Sequence, residues 1–196
     1  MALSTTDVEP IVTTINGALD LRNPRAEDIN LEDIAHSLSG LNRYNGHSPV
    51  AFSVLQHLML CYGIAESIGE DDETLLHILL HDAHEAYTGD IHKPMKALLD
   101  ADGAITRLEK TLDEAIYDSV GIEPPSPDVK TEVKKYDYLA LSAEVRAFWP
   151  QLVTSNRWAG LLEVKGSQID LAFSTLNLSR RSVKQRWLKA VKELTE

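Results

Sequence analysis

The histidines are the first indication of chemistry in this sequence. All seven lie between His36 and His92, and the string LLHDAHEAYTGD places His81 beside Asp82 in an apolar stretch. Histidine nitrogens and carboxylate oxygens are the usual ligands of divalent zinc, manganese, cobalt, nickel and iron. Two further candidates, His57 in FSVLQHLML and Asp137 in KKYDYLALSAEV, lie on separate predicted helices. Three helices could therefore bring His57, His81, Asp82 and Asp137 to one metal ion.

The hydrophobic pattern indicates which elements position these residues. Residues 11–21 form two short β-prone runs joined by an Asn-Gly pair, which supplies the positive φ angles of a tight hairpin turn. Asn30 can cap a helix whose apolar residues recur with the helical period. Ser48 and Pro49 resemble an N-cap and a first helical residue, which predicts that the helix carrying His57 begins there.

The remaining segments complete a helical fold. Acidic residues 71–73 stand at the start of the helix that carries His81 and Asp82, and Gly89 ends it. Periodic segments cover residues 104–120 and 128–149. The last segment has an apolar stripe that is typical of a packed terminal helix, with a partner-binding helix as the alternative; it consists of Val183, Trp187, Val191 and Leu194. We therefore predict an all-α fold, a single domain over residues 1–196 with a small N-terminal β-hairpin.

Composition restricts the function and the compartment. The 196 residues carry a formal net charge of −11, which argues against nonspecific binding to nucleic-acid backbones or anionic membranes. The one cysteine, Cys61, is interpreted as a small buried hydrophobe, and the absence of a second cysteine excludes an intrachain disulfide and fits a reducing compartment. The start, MALSTTDVEP, lacks the features of a signal peptide, and no apolar run is long enough to span a membrane. We expect a cytoplasmic protein.

The string LLHDAHEAYTGD resembles the signature of the HD-domain phosphohydrolases, whose single-metal members bind the ion through a histidine, the His-Asp doublet and a distant aspartate. The stretches DLRNPRAEDINLEDIAHSLSGLNRYNGHSPVAFSVLQH and LLHDAHEAYTGDIHKPMK are similar to the branch that contains bacterial 5′-deoxynucleotidases and phage-encoded dATP triphosphohydrolases. The likeness covers residues 11–145. It implies an HD-domain helical bundle and one divalent metal ion, with zinc, cobalt or manganese favoured, bound by the four ligands named above.

The resemblance also implies a phosphate site lined by Arg43, Glu85 and Asp90. On a continuous helix Glu85 shares the face of His81 and Asp82, where a carboxylate can orient or deprotonate water or protonate a leaving oxygen. Asp90 follows Gly89, where irregular backbone often aims functional groups; a surface turn is the alternative. Arg43 offers a fork of donors suited to phosphate, and a solvated arginine is the alternative. Glu85 and Asp90 are thus the candidate catalytic residues.

Further substrate contacts are predicted beside this site. The branch often carries an aromatic residue directly after the arginine, and Tyr44 keeps that feature. His47 either contacts substrate or packs within its loop. Lys93 and Lys96 suit a polyphosphate, although lysines in a loop are usually solvated, and Lys96 matches a lysine that is common in the branch.

The sequence therefore predicts a metal-dependent phosphohydrolase of deoxynucleotides, with metal-activated water attacking the α-phosphorus and Glu85 or Asp90 protonating the departing deoxyribose oxygen. The strings RYNGH and FSVLQH favour a dNTP triphosphohydrolase that prefers dATP as its substrate; a 5′-deoxynucleotidase acting on dNMPs is the alternative. A noncatalytic nucleotide- or metal-binding HD module, or a structural bundle with incidental histidines, would be a function of another class. We expect no stable nucleic-acid or membrane partner, a location in the host cytoplasm if the protein is phage-encoded, and a homo-oligomer, for which the apolar stripe of the last helix offers a surface.

Overall fold

A computed structural model of the chain describes residues 9–154 and 160–196. The described residues are mostly helical, with a two-stranded antiparallel sheet near the N-terminus. The strands are β1 (Ile11–Thr13) and β2 (Ala18–Asp20). The helices are α1 (Leu31–Leu38), α2 (Val54–Glu66), α3 (Asp72–Leu80), α4 (Glu85–Thr88), α5 (Lys93–Leu99), α6 (Ala104–Ser119), α7 (Pro127–Phe148), α8 (Gly166–Leu176) and α9 (Arg180–Thr195). The sequence had not predicted α5 or α8.

The predicted N-terminal hairpin is confirmed, but its turn is not the one expected. β1 pairs with β2 so that Val12 lies opposite Leu19. Neither Asn16 nor Gly17 is among the described residues with a positive φ angle, so the Asn-Gly pair does not form the predicted turn. Asn16 instead donates its side-chain amide to Asp33 Oδ1 at 2.7 Å, which ties the hairpin to α1.

Several helices begin where a neighbouring side chain can cap them. Asn30 accepts a hydrogen bond from the N–H of Glu32 at 2.8 Å at the start of α1. Ser126 accepts one from the N–H of Val129 at 3.2 Å at the start of α7. Each cap satisfies an N–H group that has no partner within its helix. Local sequence therefore determines both boundaries; the Asn30 cap was predicted, whereas the Ser126 cap was not.

The predicted start of the His57 helix is wrong. α2 begins at Val54 rather than at Ser48 and Pro49, and Ser53 and Gln56 form a capping box there. A capping box satisfies two orphan donors reciprocally, whereas a serine followed by proline offers one cap at most. The stronger local signal thus lies five residues further along the chain.

The helix predicted to continue to Gly89 is interrupted after Leu80. The N–H of Ala83 donates to the carbonyl of Leu80 at 2.9 Å, and that of Glu85 donates to the carbonyl of Asp82 at 3.1 Å. Such bonds between residues three apart make a tighter turn than an α-helix. His81 and Asp82 therefore lie in a tight turn between α3 and α4, and the expectation of one continuous helix is wrong. The three-residue period of this turn nevertheless leaves Glu85 on the side of Asp82. Gly89, with φ of 78°, ends α4.

Helix α2 lies at the centre of the fold. It packs against α3, α7, α8 and α9. Leu58 and Leu60 lie on opposite sides of this helix, yet both are fully buried, as is Ile64. A helix that is apolar on every side is typical of a core position. This central helix carries His57, which is also fully buried.

The C-terminal helix α9 packs into the fold, as predicted. Val183, Trp187 and Val191 are buried, and Trp187 Nε1 donates to the carbonyl of Leu79 at 2.9 Å. The apolar stripe is therefore used within the chain and is not free to serve as the oligomer surface that the sequence suggested. Among the helices of the described ranges, none combines the length and the apolar character needed to cross a membrane.

Candidate metal centre

The structure brings the four predicted metal ligands together. His57 comes from α2, His81 and Asp82 from the turn after α3, and Asp137 from α7. His57 Nε2 lies 3.3 Å from Asp137 Oδ1 and 3.8 Å from Asp82 Oδ2. His81 Nε2 lies 3.2 Å from Asp82 Oδ2. Residues separated by up to 80 positions in the sequence thus place their polar atoms within one small volume.

Hydrogen bonds on the far side of each ring orient the two imidazoles. His81 Nδ1 lies 2.8 Å from the carbonyl of Ile78, which can only accept, so Nδ1 carries the proton. His57 Nδ1 lies 2.6 Å from the carboxylate of Glu144 and donates to it in the same way. Both Nε2 atoms of the neutral rings are then lone-pair acceptors. Buried His81 Nε2 has no hydrogen-bond partner among the described residues.

The Nε2 lone pairs face the carboxylate oxygens of Asp82 and Asp137, which also accept hydrogen bonds and cannot donate them, so a cation is required between these atoms. Ligands about 2.0–2.1 Å from a tetrahedral zinc ion lie about 3.3–3.4 Å from one another, and the distances of 3.2 and 3.3 Å from the imidazoles to Asp82 and Asp137 agree with that separation. A proton can play the same part: burial opposes charge on His81, but the adjacent Asp82 outweighs burial and raises the pKa of His81 to about 9. A metal ion displaces such protons, because only an unprotonated imidazole nitrogen can be a ligand. The donor set therefore fits a divalent metal ion.

Cys61 lies beside the two histidines. One donor atom each of His57, Cys61 and His81 lies within 4.8 Å of the others, so these three residues could hold a metal ion. The sulfur is 3.5 Å from His57 Nε2 and 3.9 Å from Nδ1; it therefore lies beside the ring rather than along the lone pair of either nitrogen. The predicted burial of Cys61 is confirmed, but its contact with the histidines was missed. Its position four residues after His57 on one helix was the available signal.

Glu144 is the most important site residue that the sequence did not reveal. It is fully buried, and besides His57 it contacts Arg43, whose Nε lies 3.3 Å from Glu144 Oε2, and the hydroxyl of Tyr44, which donates to the same oxygen. Burial raises the pKa of Glu144, but the charges of Arg43 and His57 outweigh burial and leave the pKa below its usual value. Glu144 follows Asp137 by seven residues, two helical turns along the same face of α7, and this spacing within an apolar run was the available signal.

Arg43 and Tyr44 are positioned by the loop between α1 and α2. The N–H of Arg43 donates to the carbonyl of Phe52 at 2.9 Å, which closes the loop next to the start of α2. Tyr44 has φ of 59° and Asn45 has φ of 51°, a left-handed conformation that costs free energy for residues other than glycine. This conformation directs Tyr44 to Glu144 and to Trp149, against whose ring it packs edge-on at 5.0 Å. Arg43 also reaches Asp82, with Nη1 3.9 Å from Oδ2, so its guanidinium lies between two carboxylates.

The two predicted catalytic carboxyl groups lie next to the metal ligands and have raised pKa values. Burial, followed by the charges of Asp82 and Asp90, raises the pKa of Glu85 to about 10. Glu85 Oε2 is buried and has no hydrogen-bond partner in the described part of the chain. Burial also raises the pKa of Asp90, which accepts a hydrogen bond from the backbone N–H of Tyr44. Glu85 is therefore a protonated acid near neutral pH.

The structure places the three remaining predicted substrate contacts in different surroundings. Lys93 Nζ lies 3.9 Å from Asp137 Oδ2, so this lysine is at the edge of the site. Lys96 instead pairs with Glu109 of α6, a salt bridge that offsets its charge. His47 is exposed at the end of the loop that holds Arg43, where its N–H donates to the carbonyl of Tyr44 at 2.9 Å.

Comparison with known proteins finds relatives whose own names assign no activity. The chain is 36% identical over 133 residues to the uncharacterized protein YfdR of Escherichia coli (strain K12), covering 64% of this chain and 68% of YfdR. It is 33% identical over 132 residues to an uncharacterized protein of Rhodobacter capsulatus, covering 64% of this chain and 66% of that protein. No family model matches the chain.

Proposed function

This chain belongs to the family of the uncharacterized protein YfdR, and we propose that it is a metal-dependent phosphohydrolase of the HD type that acts on deoxynucleotides. One observation carries the proposal: two imidazole lone pairs and two carboxylates converge in a partly buried site next to a carboxyl group with a strongly raised pKa. This mixed nitrogen and oxygen donor set suits zinc, cobalt or manganese. When bound, such an ion would lower the pKa of a water molecule and polarise a phosphoryl oxygen.

Glu85 is the proton donor in this proposal. In the metal-free protein its carboxyl group is protonated near neutral pH, because burial and neighbouring carboxylates disfavour its charged form. The deoxyribose oxygen that leaves phosphorus is a poor leaving group and needs a proton. Asp90, whose pKa burial also raises, is the alternative donor.

The positive side chains of the site would offset the charge of the phosphate. Two neutral imidazoles and the carboxylates of Asp82 and Asp137 neutralise the charge of a divalent ion, so none of that charge remains to offset the phosphate of the substrate. Arg43 and Lys93 are the cations next to these carboxylates. Hydrogen bonds from such charged donors to phosphate oxygens are stronger than those between neutral groups.

Substrate preference is tested by presenting the four dNTPs and the four dNMPs to the protein with zinc, cobalt or manganese and separating the products by chromatography. We expect deoxynucleoside and triphosphate from a dNTP, with dATP cleaved fastest; phosphate released from dNMPs alone would instead make the protein a 5′-deoxynucleotidase. Turnover should be lost with EDTA and in His81→Ala or Asp82→Ala. His36→Ala is the matched control, because His36 lies on α1 outside the metal centre. Turnover that survives EDTA or His81→Ala would contradict the proposal, and nucleotide binding without turnover under every condition would favour a noncatalytic module.

We also propose that the protein acts in the cytoplasm as a homo-oligomer. Oligomers are common among soluble enzymes, and the symmetric dimer is the most frequent form. Light scattering that gives the monomer mass of 21.8 kDa would contradict the oligomer.

A further inference from the structure

A cavity of about 340 Å³ opens beside the metal centre, among α3, α6 and α7. His81 and Asp137 form part of its wall, so it communicates with the proposed metal ion. Cavities that bind small molecules usually start at about 300 Å³. The space is therefore large enough to hold part of a substrate whose reacting group lies at the metal.

The charges around this cavity are positive once its carboxylates are paired. Asp137 is a proposed metal ligand, and Asp113 lies 2.9 Å from His84 Nδ1. Lys130 and Lys134 also line the cavity, and within the described ranges neither forms an ion pair with a carboxylate. These two lysines are therefore its uncompensated charges.

The two lysines are arranged in a row that leads away from the metal centre. Lys134 and Lys130 precede Asp137 by three and seven residues on α7, so all three lie on one helix face, about 4.5 and 10.5 Å apart along the axis. A chain of linked phosphates that starts at the metal could follow this row. A single phosphate held beside Asp137 at the metal lies about 10.5 Å along the axis from Lys130 and would leave that lysine unused.

We infer that this cavity binds the phosphate groups of a polyphosphate chain beyond the phosphate held at the metal centre. The inference rests on the proposed function, because that function places the scissile phosphate at the metal. It selects a nucleoside triphosphate over a monophosphate as the substrate class. Lys130 and Lys134 offset the charge of the distal phosphates.

The test compares Lys130→Gln/Lys134→Gln with Lys184→Gln/Lys189→Gln, which makes the same change of charge on α9. Calorimetry of the zinc-loaded proteins measures the affinities for inorganic tripolyphosphate, inorganic phosphate, dATP and dAMP, and every protein compared carries Glu85→Ala so that dATP is not consumed during the titration. We expect the α7 variant to bind tripolyphosphate and dATP roughly two- to thirtyfold more weakly, as the loss of two exposed charge contacts would give. Its affinities for phosphate and dAMP, its metal content and its melting temperature should match those of the control.

Three results would overturn the inference. They are an unchanged affinity of the α7 variant for tripolyphosphate, an equal loss in the α9 control, and a Glu85→Ala protein with all its lysines intact that binds dATP no more tightly than dAMP. If wild type hydrolyses no deoxynucleotide but still shows the expected binding differences, the proposed hydrolysis fails while the phosphate subsite stands. If the α7 variant binds tripolyphosphate more weakly but dATP with unchanged affinity, the cavity would be assigned to free polyphosphate, and its role in binding the phosphate groups of a nucleotide would be refuted.

Discussion

Glu144→Gln is the substitution that most directly tests how the metal centre is supported. Glu144 accepts hydrogen bonds from three donors: His57 Nδ1 at 2.6 Å, Arg43 Nε at 3.3 Å and the hydroxyl of Tyr44. A glutamine has the same shape, but it offers one acceptor oxygen, and its NH₂ group would face another donor. It also removes the negative charge that compensates the buried guanidinium of Arg43.

The expected effects can be estimated separately for stability and for metal binding. Breaking a buried ion pair by removing one partner costs about 3–5 kcal/mol of unfolding free energy. Loss of the group that orients a metal-binding histidine typically weakens metal affinity about 10- to 100-fold. Both losses are expected in Glu144→Gln, because the one carboxylate serves Arg43 and His57 together.

Urea titration of the metal-free protein and chelator competition for zinc measure these two quantities. Glu70→Gln is the matched control: Glu70 also accepts a hydrogen bond from a tyrosine hydroxyl, that of Tyr136, but it has no contact with His57. A Glu144→Gln protein whose zinc affinity equals that of Glu70→Gln would refute the argument that Glu144 orients His57.

Three further predictions concern the acid, a ligand and the core. Glu85→Ala should retain zinc and nucleotide binding while turnover falls roughly 10²- to 10⁴-fold, whereas Asp137→Ala should lose zinc and turnover together. Zinc content measured by atomic spectroscopy, together with the turnover rate, distinguishes the two variants. Zinc loss in Glu85→Ala would make Glu85 a metal ligand. Because the pKa of Glu85 is raised from 4.5 to about 10 on folding, its contribution to stability is complete below about pH 4.5 and is lost as pH rises towards 10. The unfolding free energy of the metal-free protein should therefore fall by at most about 1.4 kcal/mol per pH unit more steeply than that of Glu85→Gln; equal slopes in urea titrations between about pH 6 and 9 would contradict the shift. Trp187→Ala should lower the unfolding free energy by about 3–5 kcal/mol, because a fully buried indole and its hydrogen bond to Leu79 are removed; a loss below about 1 kcal/mol in urea would show that α9 does not pack there.

Sequence alone determined the features that depend on near neighbours. Asn30 and Ser126 cap helices through bonds to residues two or three positions away, and the stripe on α9 follows from the helical period. The histidine cluster and the Asp82 carboxylate also indicated a metal site, because their residue types restrict the chemistry. The same local reasoning failed at Ser48, where a second capping signal further along the chain was stronger.

Only tertiary structure decided the contacts that join distant segments. Glu144 reaches His57 across 87 positions and Arg43 across 101, and Lys96 is removed from the phosphate site by its pairing with Glu109. The turn after Leu80 interrupts the helix that local sequence predicts to be continuous, and Asn16 leaves the predicted hairpin turn to bind Asp33. Such arrangements depend on how whole helices pack, because a buried charge is stable only where packing supplies its partner. Spacing along one helix can place a residue on the face of a site, but it does not specify the partner on another helix.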